Sequence, residues 1–284
     1  LQKNGGKNME SRLFKATKRE TGYTPIVTPL NSELKYIEFG TLLLNNKRQQ
    51  YNGETEDREA VFTIFGGSCS VKIDGSSNAI SYNHLGNRSD VFSGKPTMLY
   101  LPRQTGFKVT GESATLEAGI SFASSDDDFP PVLVKPDQVV EQTVGATNWS
   151  RKVFTAVGGN ISAQKLLVGE TINPPGNWSS SPPHKHDRKS GNEAELEEVY
   201  FYKVKPPQGF GLQRIYTAPD SEEPFDEVYV VQNNDVVVIP RGYHPVVAAA
   251  GYSLYYLWIL AGEERKYGAW SDDPVHSWLK NLKQ

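Results

Sequence analysis

The chain is nearly without cysteine. Cys69 is the single one among 284 residues, so no intramolecular disulfide can form and no CxxC pair is present for zinc or redox chemistry. A chain without a disulfide framework fits the cytoplasm, the expected location. Placed after Gly66 and Gly67, Cys69 reads as a small residue inside a strand. Long apolar runs are missing as well. None approaches the ~20 residues of a membrane span, so no membrane partner is expected. Charge of one sign is not in excess: 30 Lys and Arg face 33 Asp and Glu. That balance argues against nucleic acid as a partner. A signal-peptide core is absent too. Residues 1–8 (LQKNGGKN) are polar and glycine-bearing and read as an appended prefix, with Met9 near the native start.

What is present is punctuation. Twenty-five Gly and 18 Pro separate many short runs rich in Val, Ile, Tyr and Phe. That pattern predicts an all-β protein. In the first part, strands are expected at 36–44, 97–102, 106–110 and 114–122. Runs 60–65 and 69–73 read as a strand pair around Gly66-Gly67, and 45–59 as a polar, turn-prone segment. The acidic, proline-bearing stretch from Ser124 to about Trp149 reads as a linker. The pattern then restarts, with strands at 153–155, 165–171, 199–204, 213–217, 227–231, 236–240, 246–249 and 255–260. Only Pro274 to Leu282, and the stretch near Arg12 to Lys18, suggest short helices.

The two parts echo each other. Leu101-Pro102-Arg103 resembles Ile239-Pro240-Arg241, and Glu59-Ala60-Val61-Phe62 resembles Glu198-Val199-Tyr200-Phe201. Duplicated runs of short strands fit a pair of jelly-roll barrels. The expected organisation is an N-terminal segment over 1–20, a half without metal over 21–130, and a metal-binding half over 145–284.

The chemistry concentrates in the second half. Three of the five histidines fall in two tight motifs, Pro183-His184-Lys185-His186-Asp187 and Pro240-Arg241-Gly242-Tyr243-His244-Pro245. Residues i and i+2 of a strand share a face, so His184 and His186 can aim both imidazoles at one point. His244 arrives from a later strand. A carboxylate from Glu195, Glu197 or Glu198 can join them. On a strand, Glu198, Tyr200 and Tyr202 share one face and Glu197, Val199 and Phe201 the other, and parity alone does not say which looks inward. The echo with Glu59 favours Glu198. Three imidazoles and a carboxylate suit one divalent ion, Zn, Mn, Fe, Co or Ni, with Zn slightly preferred. His84 and His276 lie outside the motifs and read as surface or packing residues. Gly106 stands where His244 does in the echo.

These motifs resemble the cupin superfamily and, within it, the 5-deoxy-glucuronate isomerase family of myo-inositol catabolism. The matching stretches are His84 to Arg88, Ser179 to Asp187, Glu197 to Tyr202, Pro207 to Tyr216, Asn234 to Pro245 and Tyr255 to Leu257. The related 5-keto-4-deoxyuronate isomerases share the HxH, the Glu-Val-Tyr and the late His. The resemblance implies a bicupin fold, His184, His186, Glu198 and His244 as metal ligands, and aldose–ketose isomerisation of a sugar acid. Such a substrate calls for a cationic clamp, for which Arg151, Lys185, Arg214 and Arg241 are candidates. Arg103, which echoes Arg241, argues for a structural part for the latter. Gln213, Tyr216, Tyr243 and Tyr256 are candidates for holding sugar hydroxyls. For the base, Glu198, Tyr243 and a hydroxide at the metal stay open. A 5-keto-4-deoxyuronate isomerase, a cupin-type non-haem oxygenase and a non-catalytic sugar-binding module are the competing readings. The expected partner is a small sugar acid, and a homo-oligomer is allowed.

Overall fold

A computed structural model describes residues 11–16, 20–74 and 79–282. The prefix 1–8, Met9 and Lys18 lie outside the described residues. The chain is all-β, and the helical elements among the described residues are three short 3-10 turns. One of them, Ser277–Asn281, is the helix expected near the C-terminus.

Four large antiparallel sheets form two facing pairs. In the first pair, a six-stranded sheet runs Val132–Val134, Thr97–Leu101, Arg58–Gly66, Leu116–Ser124, Glu38–Leu44 and Gly22–Val27 in spatial order. It faces a four-stranded sheet of Gln50–Glu54, Gly106–Gly111, Cys69–Ile73 and Ile80–Leu85. In the second pair, a seven-stranded sheet runs Leu13–Phe14, Val236–Ile239, Glu197–Lys205, Ser253–Ala261, Leu167–Asn173, Arg151–Val157 and Val140–Val144. Its four-stranded partner is Trp178–Ser179, Val246–Ala248, Phe210–Tyr216 and Asp226–Gln232.

Strand alternation sorts the apolar side chains into three cores. Leu42, Phe62, Ile64, Leu99 and Phe107 fill the first sheet pair, and Tyr200, Tyr202, Ile239, Tyr256 and Trp258 lie inside the second. The third core joins the two large sheets back to back through Phe39, Phe65, Phe201, Tyr255 and Leu257. Phe65 stacks on Phe201 at 5.0 Å between ring centroids. Each such side chain, buried on folding, contributes roughly 1.5–3 kcal/mol. Cys69 lies in the first core, and burial pushes its thiol up to about 12, so it stays an inert thiol.

Several local expectations need correction. Arg58–Gly66 and Cys69–Ile73 are not partners. The former pairs with Thr97–Leu101 and Leu116–Ser124, the latter with Ile80–Leu85 and Gly106–Gly111 in the facing sheet. Gly67 makes the corner between them: its φ is +87°, and a Cβ there would collide with the Thr115 carbonyl. The stretch near Arg12 is not helical. Leu13–Phe14 adds a strand to Val236–Val237, held by Arg12, which is buried and ion-paired with Glu33 and Glu227. The stretch after Ser124 is more than a linker, because Val132–Val134 joins the first large sheet and Val140–Val144 the second. The polar segment 45–59 holds an edge strand, Gln50–Glu54, whose exposed alternate residues hide its β character from composition.

Glu59 also corrects the echo. Its carboxylate accepts the backbone N–H groups of Gln164, Lys165 and Leu166 and the Tyr100 hydroxyl. Glu197 does the reciprocal thing, accepting the N–H groups of Lys35, Tyr36 and Ile37. Register agrees: Glu59 faces Ala123 as Glu197 faces Ala261. The counterpart of Glu59 is thus Glu197, at an offset of 138, the same as from Pro102 to Pro240. Ala60 stands opposite Leu101 as Glu198 stands opposite Ile239, so Ala60 is the counterpart of Glu198.

Candidate metal centre

Strand Glu197–Lys205 separates the three carboxylates that the sequence left open. Glu195 is exposed, and Glu197 faces the joint between the large sheets and is taken up by three backbone N–H groups. Glu198, with Tyr200 and Tyr202, faces into the second sheet pair. Its Oε2 lies 3.3 Å from His186 Nε2 and 3.2 Å from His244 Nε2. Ligand atoms of His186, Glu198 and His244 all lie within 4.8 Å of one another, and all three residues are buried. His184 borders this group. Its ring centroid is 4.9 Å from that of His244 and 6.3 Å from that of His186, and the ring stacks on Trp270 at 5.1 Å.

The imidazoles are oriented from behind. His186 Nδ1 lies 2.8 Å from the Leu196 carbonyl and His244 Nδ1 2.9 Å from the Gly242 carbonyl. His184 Nδ1 lies 3.4 Å from the Pro182 carbonyl. A carbonyl only accepts, so each Nδ1 carries a proton, and in the neutral imidazole each Nε2 is left with the lone pair. This outer support fixes the tautomer that a metal needs.

Two further observations fit a cation here. Wholly buried, His244 Nε2 sits close to Glu198 but has no hydrogen-bond partner among the described residues. Proximity without hydrogen-bond alignment is what two donors to one shared ion show. Burial alone would raise the Glu198 pKa, but His186 and His244 outweigh it and hold the carboxyl down to about 2. Burial, reinforced by the His244 and His186 charges, pushes His184 well below its ordinary value, so it is neutral. Burial opposes the charge on His186 too, yet the Glu198 carboxylate raises its pKa. The Glu198 carboxylate and the imidazoles of His186 and His244, with His184 beside them, fit a borderline divalent ion.

The turn that brings in His244 depends on Gly242. Its φ is +96°, and a Cβ would meet the Tyr216 carbonyl at 2.7 Å. Gly242 N–H donates to Asp187 Oδ2 at 2.8 Å. Asp187 and Glu193 together hold Lys185, whose ammonium lies 2.7 Å from Glu193 Oε1. This buried network ties the HxH strand to the Pro-Arg-Gly turn. Gln213 supports the same turn, donating to the His244 carbonyl at 2.8 Å and accepting from the Tyr202 hydroxyl at 2.5 Å.

A cavity of about 470 Å³ opens on the cluster and is lined by His184, His186 and Glu198 together with Arg151, Tyr200 and Tyr256. Of the substrate-binding candidates named from the sequence, Arg151 and Tyr256 therefore border it. The others do not. Lys185 is enclosed by its acidic partners, Arg214 is forked onto Asp226, and Arg241 pairs with Glu223. Gln213 is buried behind His244. Tyr216 donates to Asp273 at 2.6 Å, and Tyr243 packs on Tyr216 at 5.2 Å. Neither tyrosine lines the cavity, so Tyr243 is poorly placed as the base. Sequence reasoning missed Asp187, Glu193, Trp270 and Tyr200. Tyr200 was within reach, since it shares the Glu198 face of its strand. His84 is exposed and bonded to Glu112, and His276 precedes the C-terminal turn; neither belongs to the cluster or lines its cavity.

Comparison with known proteins agrees with this fold. The model of the KduI/IolB family matches residues 12–279. The 5-deoxy-glucuronate isomerase of Geobacillus kaustophilus is 36% identical over 267 residues, covering 93% of each chain. That of Bacillus subtilis strain 168 is 35% identical over 256 residues, covering 89% of this chain and 91% of its own. Among solved structures, an IolB-like protein from Salmonella typhimurium superposes with a TM-score of 0.86 at 34% identity, covering 94% of this chain and 98% of its own. An oxalate decarboxylase from Lactobacillus farciminis shares the fold alone, with a TM-score of 0.64 at 12% identity over 94% of this chain and 88% of its own. With nearly its whole length matched and its imidazole–carboxylate cluster intact, the chain belongs to the KduI/IolB family.

Proposed function

We propose that the chain is a metal-dependent aldose–ketose isomerase that converts 5-deoxy-glucuronate to 5-dehydro-2-deoxy-gluconate. The observation that carries this reading is the set of inward Nε2 atoms around Glu198 at the wall of a cavity large enough for an open-chain sugar acid. Relatives covering nine-tenths of the chain carry the name 5-deoxy-glucuronate isomerase. His184, His186, His244 and Glu198 would hold one divalent ion. When bound, it supplies a Lewis acid that polarises the aldehyde and the neighbouring hydroxyl.

The chain's own groups do the rest. Glu198, held ionised down to about 2, is a weak base and serves as the anionic ligand. Burial, with the Glu198 charge adding to it, drives the Tyr200 phenol well above its ordinary range, and burial raises Tyr256 as well. Both therefore stay protonated and act as hydrogen-bond donors. Ser180 and Ser179 fix their hydroxyls in place, Tyr200 and Ser180 being 3.0 Å apart. Such fixed donors suit the oxygen that gains charge as the proton leaves C2. Trp270, stacked on His184, adds an apolar face to the cavity wall.

The test is direct. Metal-loaded protein is given 5-deoxy-glucuronate in deuterated water, and the aldehyde proton is followed by NMR. Loss of that signal with growth of the ketose is expected. Full metal occupancy with no ketose formed would overturn the proposal.

A further inference from the structure

Among the described residues, Arg151 is a buried cation with no acid beside it. It opens the strand Arg151–Val157, is 8% exposed, and borders the cavity. The other deeply buried arginines are paired: Arg88 lies 2.6 Å from Glu170, and Arg12 bridges Glu33 and Glu227. Arg151 has no ion pair among the described residues. Its Nη1 donates only to the backbone carbonyls of Trp149 and Ser181, at 3.2 and 3.3 Å. The Nε–H is buried without a partner, and no hydrogen bond from Nη2 is found among the described residues. Burial lowers its pKa, and the nearby groups that oppose this are the phenols of Tyr256, Tyr200 and Tyr267, not carboxylates. Arginine nonetheless stays charged at neutral pH.

A buried guanidinium met only by two carbonyls and, at 6.0 Å, by the Trp149 ring is costly, and stability alone does not keep it there. Its Nη2 end, which makes no hydrogen bond among the described residues, is free to donate to a carboxylate. His184, His186 and Glu198 of the cluster line the same cavity, close enough that the Arg151 charge acts on His184. We propose that Arg151 is the anion anchor of this site, taking the carboxylate of an open-chain sugar acid while the aldehyde end lies at the histidine–glutamate cluster. This rests on the isomerase reading above and deepens it. It makes Arg151 the residue that selects sugar acids over neutral aldoses.

The test compares holoenzyme and variants in two ways. Calorimetry measures binding of gluconate, a non-reacting sugar acid, against its neutral counterpart glucitol. Kinetics measures kcat/KM for 5-deoxy-glucuronate against 5-deoxy-glucose. Wild type is expected to favour the acid by roughly 10–100-fold in both, the range of a charge-assisted pair. Arg151→Met should collapse both ratios toward one, and Arg151→Lys should restore part of the preference. Because Arg151 has no acidic partner to strand, Arg151→Met should melt at or above the wild-type temperature. An Arg151→Met protein that keeps the preference for gluconate overturns the anchor. So does a variant that loses acid and neutral ligands alike and melts well below wild type, since that marks a structural arginine. Binding of gluconate through Arg151 without any turnover would leave the anchor standing and sink the isomerase reading instead.

Discussion

At the scale of single residues, the centre depends on which atom of each side chain faces inward. Backbone carbonyls hold the Nδ1 of His186 and His244, so the geometry is set before any ion arrives. Glu198→Gln keeps the shape but removes the charge. It is expected to lower metal content, measured by mass spectrometry after dialysis, by more than the 10–100-fold typical of outer-sphere changes. Gly242→Ala probes the support instead. A Cβ at +96° meets the Tyr216 carbonyl, shifts the turn and moves His244, so metal affinity should fall by about 10–100-fold while the fold survives. Unchanged affinity in a well-folded Gly242→Ala protein would show that the turn does not position His244. The histidines were legible in the sequence because i, i+2 spacing and a late Pro-Arg-Gly-Tyr-His turn are local patterns. The choice of Glu198 was not legible from parity, which gives two faces without saying which one looks inward. Nor was Arg151 separable from Lys185, Arg214 and Arg241, because what distinguishes it is the lack of an acid contributed by distant strands.

At the scale of elements, the strands that open with Glu59 and Glu197 act as a reciprocal pair of clasps. Each carboxylate reaches the backbone entering a strand of the opposite sheet pair and satisfies three consecutive N–H groups. Those donors are otherwise unsatisfied at a buried joint. Glu59→Ala should therefore cost about 3–5 kcal/mol in urea unfolding. Its metal content should match wild type, because Glu59 lies far from the cluster in sequence and function. A loss below about 1 kcal/mol, the net worth of a single ordinary hydrogen bond, would show that water replaces the carboxylate. The internal echo exposed this duplication, but sequence alone slipped it by one residue. Glu-Ala-Val-Phe aligns as well with Glu-Val-Tyr-Phe as with the shifted frame. Only the pairing of Glu59 with Ala123 and of Glu197 with Ala261 fixes the register. A one-residue slip exchanges the two faces of a strand, so the error matched a clasp residue with a member of the candidate cluster. The edge strand Gln50–Glu54 and the strands within the supposed linker escaped notice because exposed or short strands carry little apolar signal.

At the scale of the molecule, the third core decides how the two sheet pairs behave. Phe39 and Phe65 come from the first, Phe201 and Tyr255 from the second, and all are buried at the joint. Arg88 reaches across the same joint to Glu170, which also accepts from Tyr255 at 2.8 Å. With that shared interior, neither pair can lose its packing alone. All five tryptophans, Trp149, Trp178, Trp258, Trp270 and Trp278, fall in the second part of the chain. Tryptophan fluorescence therefore reports one part and far-UV circular dichroism both. Coincident thermal transitions are expected, and separated ones would mean that the joint is weak. The all-β class and the duplicated plan were legible, since turn residues and restarting patterns belong to the chain itself. The joint was not, because it consists of contacts between residues far apart in the chain.

The claim on which the rest depends is that His184, His186, Glu198 and His244 share one ion. An anomalous-difference map from crystals of the metal-loaded protein tests it most directly. One strong peak is predicted, within about 2.0–2.2 Å of three imidazole Nε2 atoms and one Glu198 oxygen. A peak that leaves out Glu198, or one placed away from the cavity, would contradict the assignment.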